Sequence, residues 1–172
     1  LIAEIGGNHE GSFEKAKEQS KLLENDLYKN PHKYRVLTGD RPTGNLHLGH
    51  YFGSIINRLK LQSLGIETYI LIADYQVLTD RNVFNEILKF TYELTLDYLA
   101  CGLDPENYKT HIFPHSHIPE LNQLTIPFLT LVSSSELNKN PTVKEEITAS
   151  GLSNINAGMY IYPVHQAADI LF

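Results

Sequence analysis

Short strand-like and helix-like runs of apolar positions alternate along the chain from residue 34. Tyr34–Thr38 is rich in residues that favour strands and stops at Gly39, and the polar stretch 40–46, with its proline and glycine, predicts a loop. Four apolar residues follow at helical spacing: Leu48, Phe52, Ile55 and Leu59. This spacing predicts a helix that begins near His47 and buries all four side chains on one face.

The next two strands continue the alternation. Residues 68–73 form a continuous apolar run, as expected for a strand that is covered on both faces, and His111–Phe113 is a third short strand candidate. Between these two runs, helical spacing recurs in a second set of apolar residues: Val83, Ile87, Phe90 and Leu94. We expect Gly102 to cap the end of that helix.

The remaining segments predict helices and one exposed stretch. We expect a helix from Pro119 to about Val132, an exposed region over 133–156 with a short helix from Thr142, and a last helix from about Ala157. The order of strands and helices implies right-handed crossovers and an α/β fold with a parallel sheet. Ligands of such sheets bind beyond the carboxyl ends of the strands, where the loop after the first strand would lie.

Composition and charge favour small-molecule chemistry. The 172 residues carry a formal net charge of −6, whereas a domain that binds nucleic acid non-specifically is usually basic. No apolar run approaches the roughly 18–20 residues of a membrane span, so we expect no membrane segment. The single cysteine, Cys101, excludes an internal disulfide, fits a cytoplasmic protein, and lies in an apolar helical pattern that favours a core role. Residues 12–30 predict a charged surface helix.

The segment 39–50 combines glycines with two histidines at the start of a predicted helix. Its glycines would let the backbone approach a ligand closely, and a helix N-terminus favours an anion. His47 and His50 lie one turn apart, so both can donate hydrogen bonds to phosphate oxygens. From the residues alone, a glycine-rich turn with two incidental histidines stays open as the alternative. We expect no metal site, because zinc chelation on one helix usually uses histidines at i and i+4 with further ligands.

A second polar set lies on the last predicted helix. Tyr162, Gln166 and Asp169 fall at i, i+4 and i+7, which predicts one polar stripe on an otherwise apolar segment. Pro163 would free the carbonyl of Met159 and kink the helix. A carboxylate among apolar residues is costly to bury unless it accepts hydrogen bonds. Asp169 is therefore either a binding residue or a capped or salt-bridged structural residue.

The sequence P-T-G-N-L-H-L-G-H-Y-F-G at 42–53 resembles the opening signature of class I aminoacyl-tRNA synthetases, in the form of their tryptophan and tyrosine branch. The resemblance implies a Rossmann-like parallel sheet with flanking helices over residues 34–172. It also implies that His47 and His50 are catalytic and bind ATP phosphates. The ATP-binding residues that it implies are Arg41, Pro42, Thr43, Gly44, His47, Gly49 and His50.

The sequence Y-P-V-H-Q-A-A-D-I-L at 162–171 resembles a motif of tryptophanyl-tRNA synthetases in which the aspartate accepts the indole N–H and the tyrosine lines the pocket. The tryptophan-binding residues that the resemblance implies are Leu37, Gly39, Gln76, Tyr162, Gln166 and Asp169. Gln76 and His115 depart from the family's pattern, which favours histidine and glutamine there. We interpret His115, like His111 and His117, as a strand-end or turn histidine rather than a metal ligand.

The resemblance implies ATP-dependent activation of L-tryptophan and its ligation to tRNA(Trp), with Mg²⁺ on the ATP and a homodimeric enzyme. Two alternatives stay open: an inert or binding-only fusion fragment, and another nucleotidyltransferase with the histidine motif. Residues 1–19 instead resemble the start of sialic acid synthases. We therefore expect an appended segment over 1–33 and a partial, truncated nucleotide-binding catalytic domain over 34–172, because the family's G-x-D-Q and K-M-S-K-S-type motifs do not occur.

Overall fold

The computed structural model describes residues 13–80, 84–140, 144 and 156–171. It contains a three-stranded sheet with the strands in the order β1-β2-β3: β1 is Arg35–Asp40, β2 is Glu67–Ile72 and β3 is Thr110–Pro114. The amide of Thr68 donates to the carbonyl of Lys109, and the amide of Ala73 donates to the carbonyl of Asp40. Strand starts therefore lie beside starts and strand ends beside ends, so the sheet is parallel as the sequence predicted.

Helices separate and follow the strands. In chain order they are α1 Phe13–Lys29, α2 Leu48–His50, a π turn Tyr51–Ile55, α3 Ile56–Ser63, α4 Asp74–Asp80, α5 Phe84–Ala100, α6 Pro119–Leu129, α7 Ser134–Lys139 and α8 Ala157–Leu171, with 3-10 turns at Pro31–Lys33 and His115–His117. This alternation confirms the α/β architecture. α1 and α8 confirm the helices expected over 12–30 and from Ala157, and Gly102 has the positive φ of a helix-terminating glycine.

Several predicted boundaries differ from the observed ones. β1 begins at Arg35 and continues through Gly39 to Asp40, so the predicted stop at Gly39 is wrong. α6 ends at Leu129, earlier than expected, because Pro127 supplies no N–H and the chain closes in short i→i+3 bonds. The short helix expected from Thr142 begins outside the described residues, and the preceding exposed region contains α7, whose Leu137 is buried.

The predicted buried face of the helix after the first loop is only half right. Ile55 is fully buried, but Leu48 and Phe52 are 75% and 65% exposed. The π turn Tyr51–Ile55 explains the error, because its i→i+5 hydrogen bonding accommodates one extra residue. That residue rotates everything before it by about 100° relative to a regular helix. Leu48 and Phe52 therefore leave the face on which Ile55 lies.

The chain divides into two compact units. The first comprises the described residues up to Thr38 together with Asn45–Ile70 and Leu94–Ile112. Its core side chains are mostly aliphatic: Ile55, Ile66, Ile70, Leu94, Tyr98 and Leu103. Two polar side chains of α3 are buried beside them and are hydrogen-bonded there. Arg58 donates to the hydroxyl of Thr38 and lies over the ring of Tyr98, and Gln62 bonds to the turn after α5.

The second unit comprises Gly39–Gly44, Leu71–Glu93 and the described residues from Phe113 onwards. In it, α8 packs against α4, α6 and α7. The buried apolar side chains include Val77, Ile87, Leu121, Leu137, Met159, Val164 and Ala168. Among the residues that the structure describes, no helix is both long and apolar enough to cross a membrane. The resemblance at the start of the chain falls mainly on residues 1–12, which lie outside the described residues.

Candidate active site

His47 and His50 lie side by side at the start of the helical run that begins with α2, with 4.0 Å between their ring centroids. His47 is the N-cap of α2. Its Nδ1 atom accepts the amide hydrogen of Gly49 at 3.1 Å, and the Nδ1 atom of His50 accepts that of His47 at 3.3 Å. The structure thus brings together the two histidines that the sequence predicted to share a face.

These two hydrogen bonds decide which nitrogen of each ring carries the proton. A neutral imidazole that accepts through Nδ1 carries its hydrogen on Nε2. The tautomer of His47 and of His50 is therefore assigned by its backbone partner. The pair offers two Nε2–H donors to an anionic oxygen without requiring either ring to be charged.

The glycines of the loop have different reasons for being glycine. A Cβ at position 49 would lie 2.8 Å from Cε1 of His47, so Gly49 leaves room for that ring. A Cβ at Gly39 would lie 2.7 Å from the carbonyl oxygen of Leu71, so Gly39 permits close packing of two strands. The expectation that the backbone at Gly39 also approaches a ligand stays a prediction. Gly44 has φ of +134°, a conformation that residues with side chains rarely adopt.

The other predicted ATP-binding residues lie in the irregular loop after β1. Pro42 is buried, whereas Arg41 and Thr43 are exposed. Arg41 and Thr43 can therefore reach a solute, and all three residues belong to the second unit.

Asp169 lies on α8 and is buried, with 8% of its surface exposed. Its Oδ2 atom is 3.1 Å from Nε2 of His115, and its Oδ1 atom is 3.7 Å from Nδ1 of His165. Oδ1 has no hydrogen-bond partner among the described residues. Burial of a carboxylate oxygen without a donor is costly, so this atom is prepared to accept an N–H from a bound molecule.

His115 connects Asp169 with a second buried carboxylate. It lies in the 3-10 turn after β3, and its Nδ1 atom is 3.9 Å from Oδ1 of Asp74, the first residue of α4. That oxygen accepts the amide hydrogens of Tyr75 and Ser116, which fixes the carboxylate of Asp74 at the ends of β2 and β3. We call Asp74, His115, His165 and Asp169 the carboxylate–histidine cluster.

The ring of Tyr75 contacts both histidines of the cluster. The ring of Tyr75 is stacked on His115 at 5.9 Å and meets His165 edge-on at 6.0 Å, and the two histidine rings are 5.0 Å apart. Burial lowers the pKa of His165 below its ordinary value, although the charge of Asp169 acts in the opposite direction. His165 is therefore mainly neutral near pH 7.

The remaining predicted tryptophan-binding residues differ in burial and do not all belong to the same unit. Tyr162 is buried on α8, about two turns before Asp169, whereas Gln166 is exposed. The predicted single polar stripe therefore separates into a buried pair and an exposed amide. Gln76 is half-buried on α4 in the same unit. Leu37 belongs to β1 and is 36% exposed in the first unit.

Sequence reasoning placed His115 correctly in a turn but did not foresee its burial, and it did not single out His165. The signal for His165 was its position four residues before Asp169 on a predicted helix, where the two side chains face each other. The signal for His115 was weaker, because its partners Asp74 and Asp169 are distant in the sequence. Only the ends of parallel strands bring such positions together.

Three comparisons relate the chain to known proteins. The family model for tRNA synthetases class I (W and Y) matches residues 29–172. A tryptophan–tRNA ligase of Clostridium longisporum is 54% identical over 139 residues, which is 78% of this chain and 40% of that protein. The tryptophan–tRNA ligase of Streptococcus mutans is 51% identical over 138 residues, with the same two coverages.

A solved structure agrees with the sequence matches. The tryptophanyl-tRNA synthetase of Campylobacter jejuni, complexed with ADP and tryptophan, superposes with a TM-score of 0.71 at 30% identity, over 80% of this chain and 41% of that one. The described fold therefore corresponds to part of a class I synthetase domain. The chain spans about 40% of the length of the curated relatives that it matches.

Proposed function

Because the chain belongs to the class I tRNA synthetases (W and Y), we propose that it is part of an enzyme that activates L-tryptophan with ATP and ligates it to tRNA(Trp). The reaction forms tryptophanyl-adenylate and pyrophosphate, and the tryptophanyl group then passes to the tRNA. The names of the relatives support tryptophan rather than tyrosine as the amino acid. The residues of this chain give the proposal a physical basis.

The observation that carries the proposal is the buried, unpaired Oδ1 atom of Asp169. Apolar side chains of α8, among them Met159 and Val164, are buried on the same helix. An indole ring matches such surroundings, because it is apolar except for one N–H donor. A site built to pair that N–H rejects an analogue without it by about 10⁴–10⁵, since the buried acceptor is then left unpaired.

Tyr162 and His115 have supporting roles in this proposal. Tyr162 is buried on α8, and we assign it to the side-chain pocket, as the family motif implies. His115 lies against Oδ2, so the other carboxylate oxygen is left for the ligand. We also assign tryptophan binding to Gly39, Leu37, Gln76 and Gln166, as the family motif implies.

For ATP, the pair His47 and His50 supplies the donors. Their Nε2–H groups fit phosphate oxygens, and preorganised donors stabilise the charge that develops on the α-phosphate. We also assign ATP binding to Arg41, Pro42, Thr43, Gly44 and Gly49, as the family motif implies. Mg²⁺ bound to the ATP supplies further positive charge when present.

The chemistry requires positioning rather than a protein base. The carboxylate of tryptophan is already ionised near pH 7, and one of its oxygens attacks the α-phosphorus. The bond from that phosphorus to the bridging oxygen breaks, and pyrophosphate leaves. The protein holds the reactants in line and stabilises the phosphate charge. We further propose a homodimer in the cytoplasm, as the family resemblance implies.

Tryptophan fluorescence tests the proposal directly, because the chain contains no Trp. Free tryptophan titrated with the protein, in the presence of a metal chelator, should show a blue-shifted emission when its indole enters an apolar pocket. A hydrogen bond contributes about 1.5–3 kcal/mol with a charged acceptor and about 0.5–1.5 kcal/mol with a neutral one, so Asp169→Asn, which keeps a neutral amide oxygen, should weaken binding roughly five- to tenfold.

Asp104→Asn is the matched control, because this exposed carboxylate lies in the turn after α5 and should bind no ligand. Phenylalanine should compete poorly, since it offers no ring N–H. If Asp169→Asn binds tryptophan as tightly as the parent and the Asp104 variant do, the tryptophan assignment is wrong. If no variant and no parent chain binds tryptophan, the chain is instead the inert fragment that the sequence left as an alternative.

A further inference from the structure

We propose that His115, His165 and Asp169 form a binding site for one Zn²⁺-like transition-metal ion, and that this ion and tryptophan exclude each other. The three residues each offer one ligand atom, and these atoms all lie within 4.8 Å of one another. The metal site itself does not depend on the proposed function. The competition with tryptophan rests on it, because both ligands would use Asp169.

The donor set has the chemistry of a zinc site. Two imidazole nitrogens and one carboxylate oxygen are ligands that Zn²⁺ commonly takes, with the fourth position open to water. Ligand atoms of tetrahedral zinc are about 3.3 Å apart, given bonds of about 2.0–2.1 Å. Nε2 of His115 lies 3.1 Å from Oδ2 of Asp169, and Nδ1 of His165 lies 3.7 Å from Oδ1. One ligand atom from each residue lies within 4.8 Å of the others, so the three side chains must move closer together to reach the spacing of a zinc site.

The unsatisfied atoms point to a missing partner. Nε2 of His115 and Oδ1 of Asp169 are buried without a hydrogen bond among the described residues, although the side chains are only 3% and 9% exposed. The nearest atoms of His115 and Asp169 are close enough for an ion pair but are not aligned as a hydrogen bond. A metal ion would satisfy these lone pairs together, which no single N–H donor does.

The surroundings resemble those of a histidine that binds metal. A histidine ligand commonly directs its other ring nitrogen to a carboxylate, which orients the ring. Nδ1 of His115 faces Oδ1 of Asp74 at 3.9 Å, which is too long for a hydrogen bond, so this carboxylate acts on the ring through its charge.

Co²⁺ is the probe for the test, because its visible d–d absorption reports tetrahedral coordination, and zinc has none. The chain titrated with Co²⁺ should develop this absorption with saturation at one equivalent, and added Zn²⁺ should abolish it. His165→Gln should weaken Co²⁺ affinity by more than about 100-fold, because loss of even an outer partner of a ligand costs 10–100-fold. This variant changes a partly exposed side chain, so circular dichroism should show an unchanged fold.

Two histidine variants serve as controls. His111→Ala removes a half-exposed histidine stacked on Tyr69 outside the cluster, and it should leave the absorption unchanged. The double variant His47→Ala, His50→Ala tests the other histidine pair. If the absorption is lost in that variant and kept in His165→Gln, or if no binding at one equivalent occurs, the proposed metal site is wrong.

Tryptophan separates this inference from the proposed function. Added tryptophan should lower the Co²⁺ absorption, with an apparent metal dissociation constant that rises in proportion to tryptophan concentration. If Co²⁺ binds at the three residues and tryptophan binds through Asp169 without displacing it, the mutual exclusion is wrong. If Co²⁺ binds there and tryptophan does not bind at all in chelator, the metal site stands and the proposed function fails.

Discussion

The Nδ1 atom of His47 accepts the amide hydrogen of Gly49, and its ring fills the space in which a side chain at position 49 would lie. The two residues therefore depend on each other. The absence of a side chain at Gly49 allows the ring of His47 to take its observed position. Glycine at this position is required by a neighbouring side chain rather than by backbone conformation, since Gly49 does not have a positive φ.

Gly49→Ala should displace the ring of His47 without destabilising the fold. The new Cβ would lie 2.8 Å from Cε1 of that ring, which must move and lose its bond to the amide. In a chain extended to the length of its relatives, we expect ATP–pyrophosphate exchange to fall about tenfold or more. Thermal stability should change little, because the roughly 0.5–1 kcal/mol by which alanine is favoured over glycine in helices offsets the loss of the N-cap bond from His47. Gly53→Ala, with nothing within 4 Å of its Cβ, is the control.

His47→Ala should slow the exchange reaction more than it weakens ATP binding. Removal of one preorganised donor to a developing charge typically costs about 10²–10³ in rate. The comparison of the kcat of exchange with the dissociation constant of ATP, measured by calorimetry, separates the two effects. An unchanged kcat with a weaker ATP affinity would show that the ring acts only in ground-state binding.

Gln62→Leu should destabilise the first unit. The amide nitrogen of Gln62 donates to the carbonyl of Gly102, and its oxygen accepts from the amide of Asp104 and the hydroxyl of Thr110. Leucine leaves those three groups without this partner, and an unsatisfied buried group costs about 1–3 kcal/mol. We expect the free energy of unfolding in urea to fall by about 2–4 kcal/mol.

Ser63→Ala, at the exposed next position of α3, is the matched control for Gln62→Leu. Surface substitutions of this kind usually change stability by less than about 0.5 kcal/mol. Equal unfolding free energies for the two variants would contradict the role assigned to Gln62.

Asp104 should make part of the stability depend on acid pH. Hydrogen bonds from the side chain and backbone of Asn107, and then from the amide of Glu106, lower the pKa of Asp104 below its ordinary value. The folded state therefore binds this proton less readily than the unfolded state. The stabilisation is present above about pH 4 and is lost as the pH falls through the folded pKa.

Urea unfolding of the parent and of Asp104→Asn between about pH 2 and pH 7 tests this dependence. The parent should be the more stable of the two at pH 7, and the difference should shrink in acid. Because the carboxylate is fully exposed, added salt should reduce the difference as well. A difference that grows as the pH falls would contradict the predicted sign.

Local sequence signals predicted the elements of this fold well. The continuous apolar run at 68–73 is typical of a buried strand, and the spacing up to Leu94 is typical of a helix. β2 and α5 therefore appear where expected. In the helix after the first loop, the predicted burial of Leu48 and Phe52 was wrong. Periodicity assumes a constant number of residues per turn, and the π turn changes that number without a sequence signature.

The candidate site was predicted less completely than the fold. Motif resemblance identified His47, His50 and Asp169, and the structure pairs the two motif histidines. The motif resemblance did not predict that His115 and His165 both lie beside Asp169. The contact between His115 and Asp169 joins the end of β3 to α8 across 54 positions, and single-sequence spacing carries no information at that range.

The π turn between α2 and α3 also determines how far His47 and His50 are rotated about the helix axis. A deletion of Ser54 would leave the motif at 42–53 intact and let a regular helix form. His47 and His50 would then rotate by about 100° around the helix axis relative to the anchored residues Arg58 and Gln62. The length of this turn, which extends beyond the motif to Ile55, therefore determines the direction that the two histidines face.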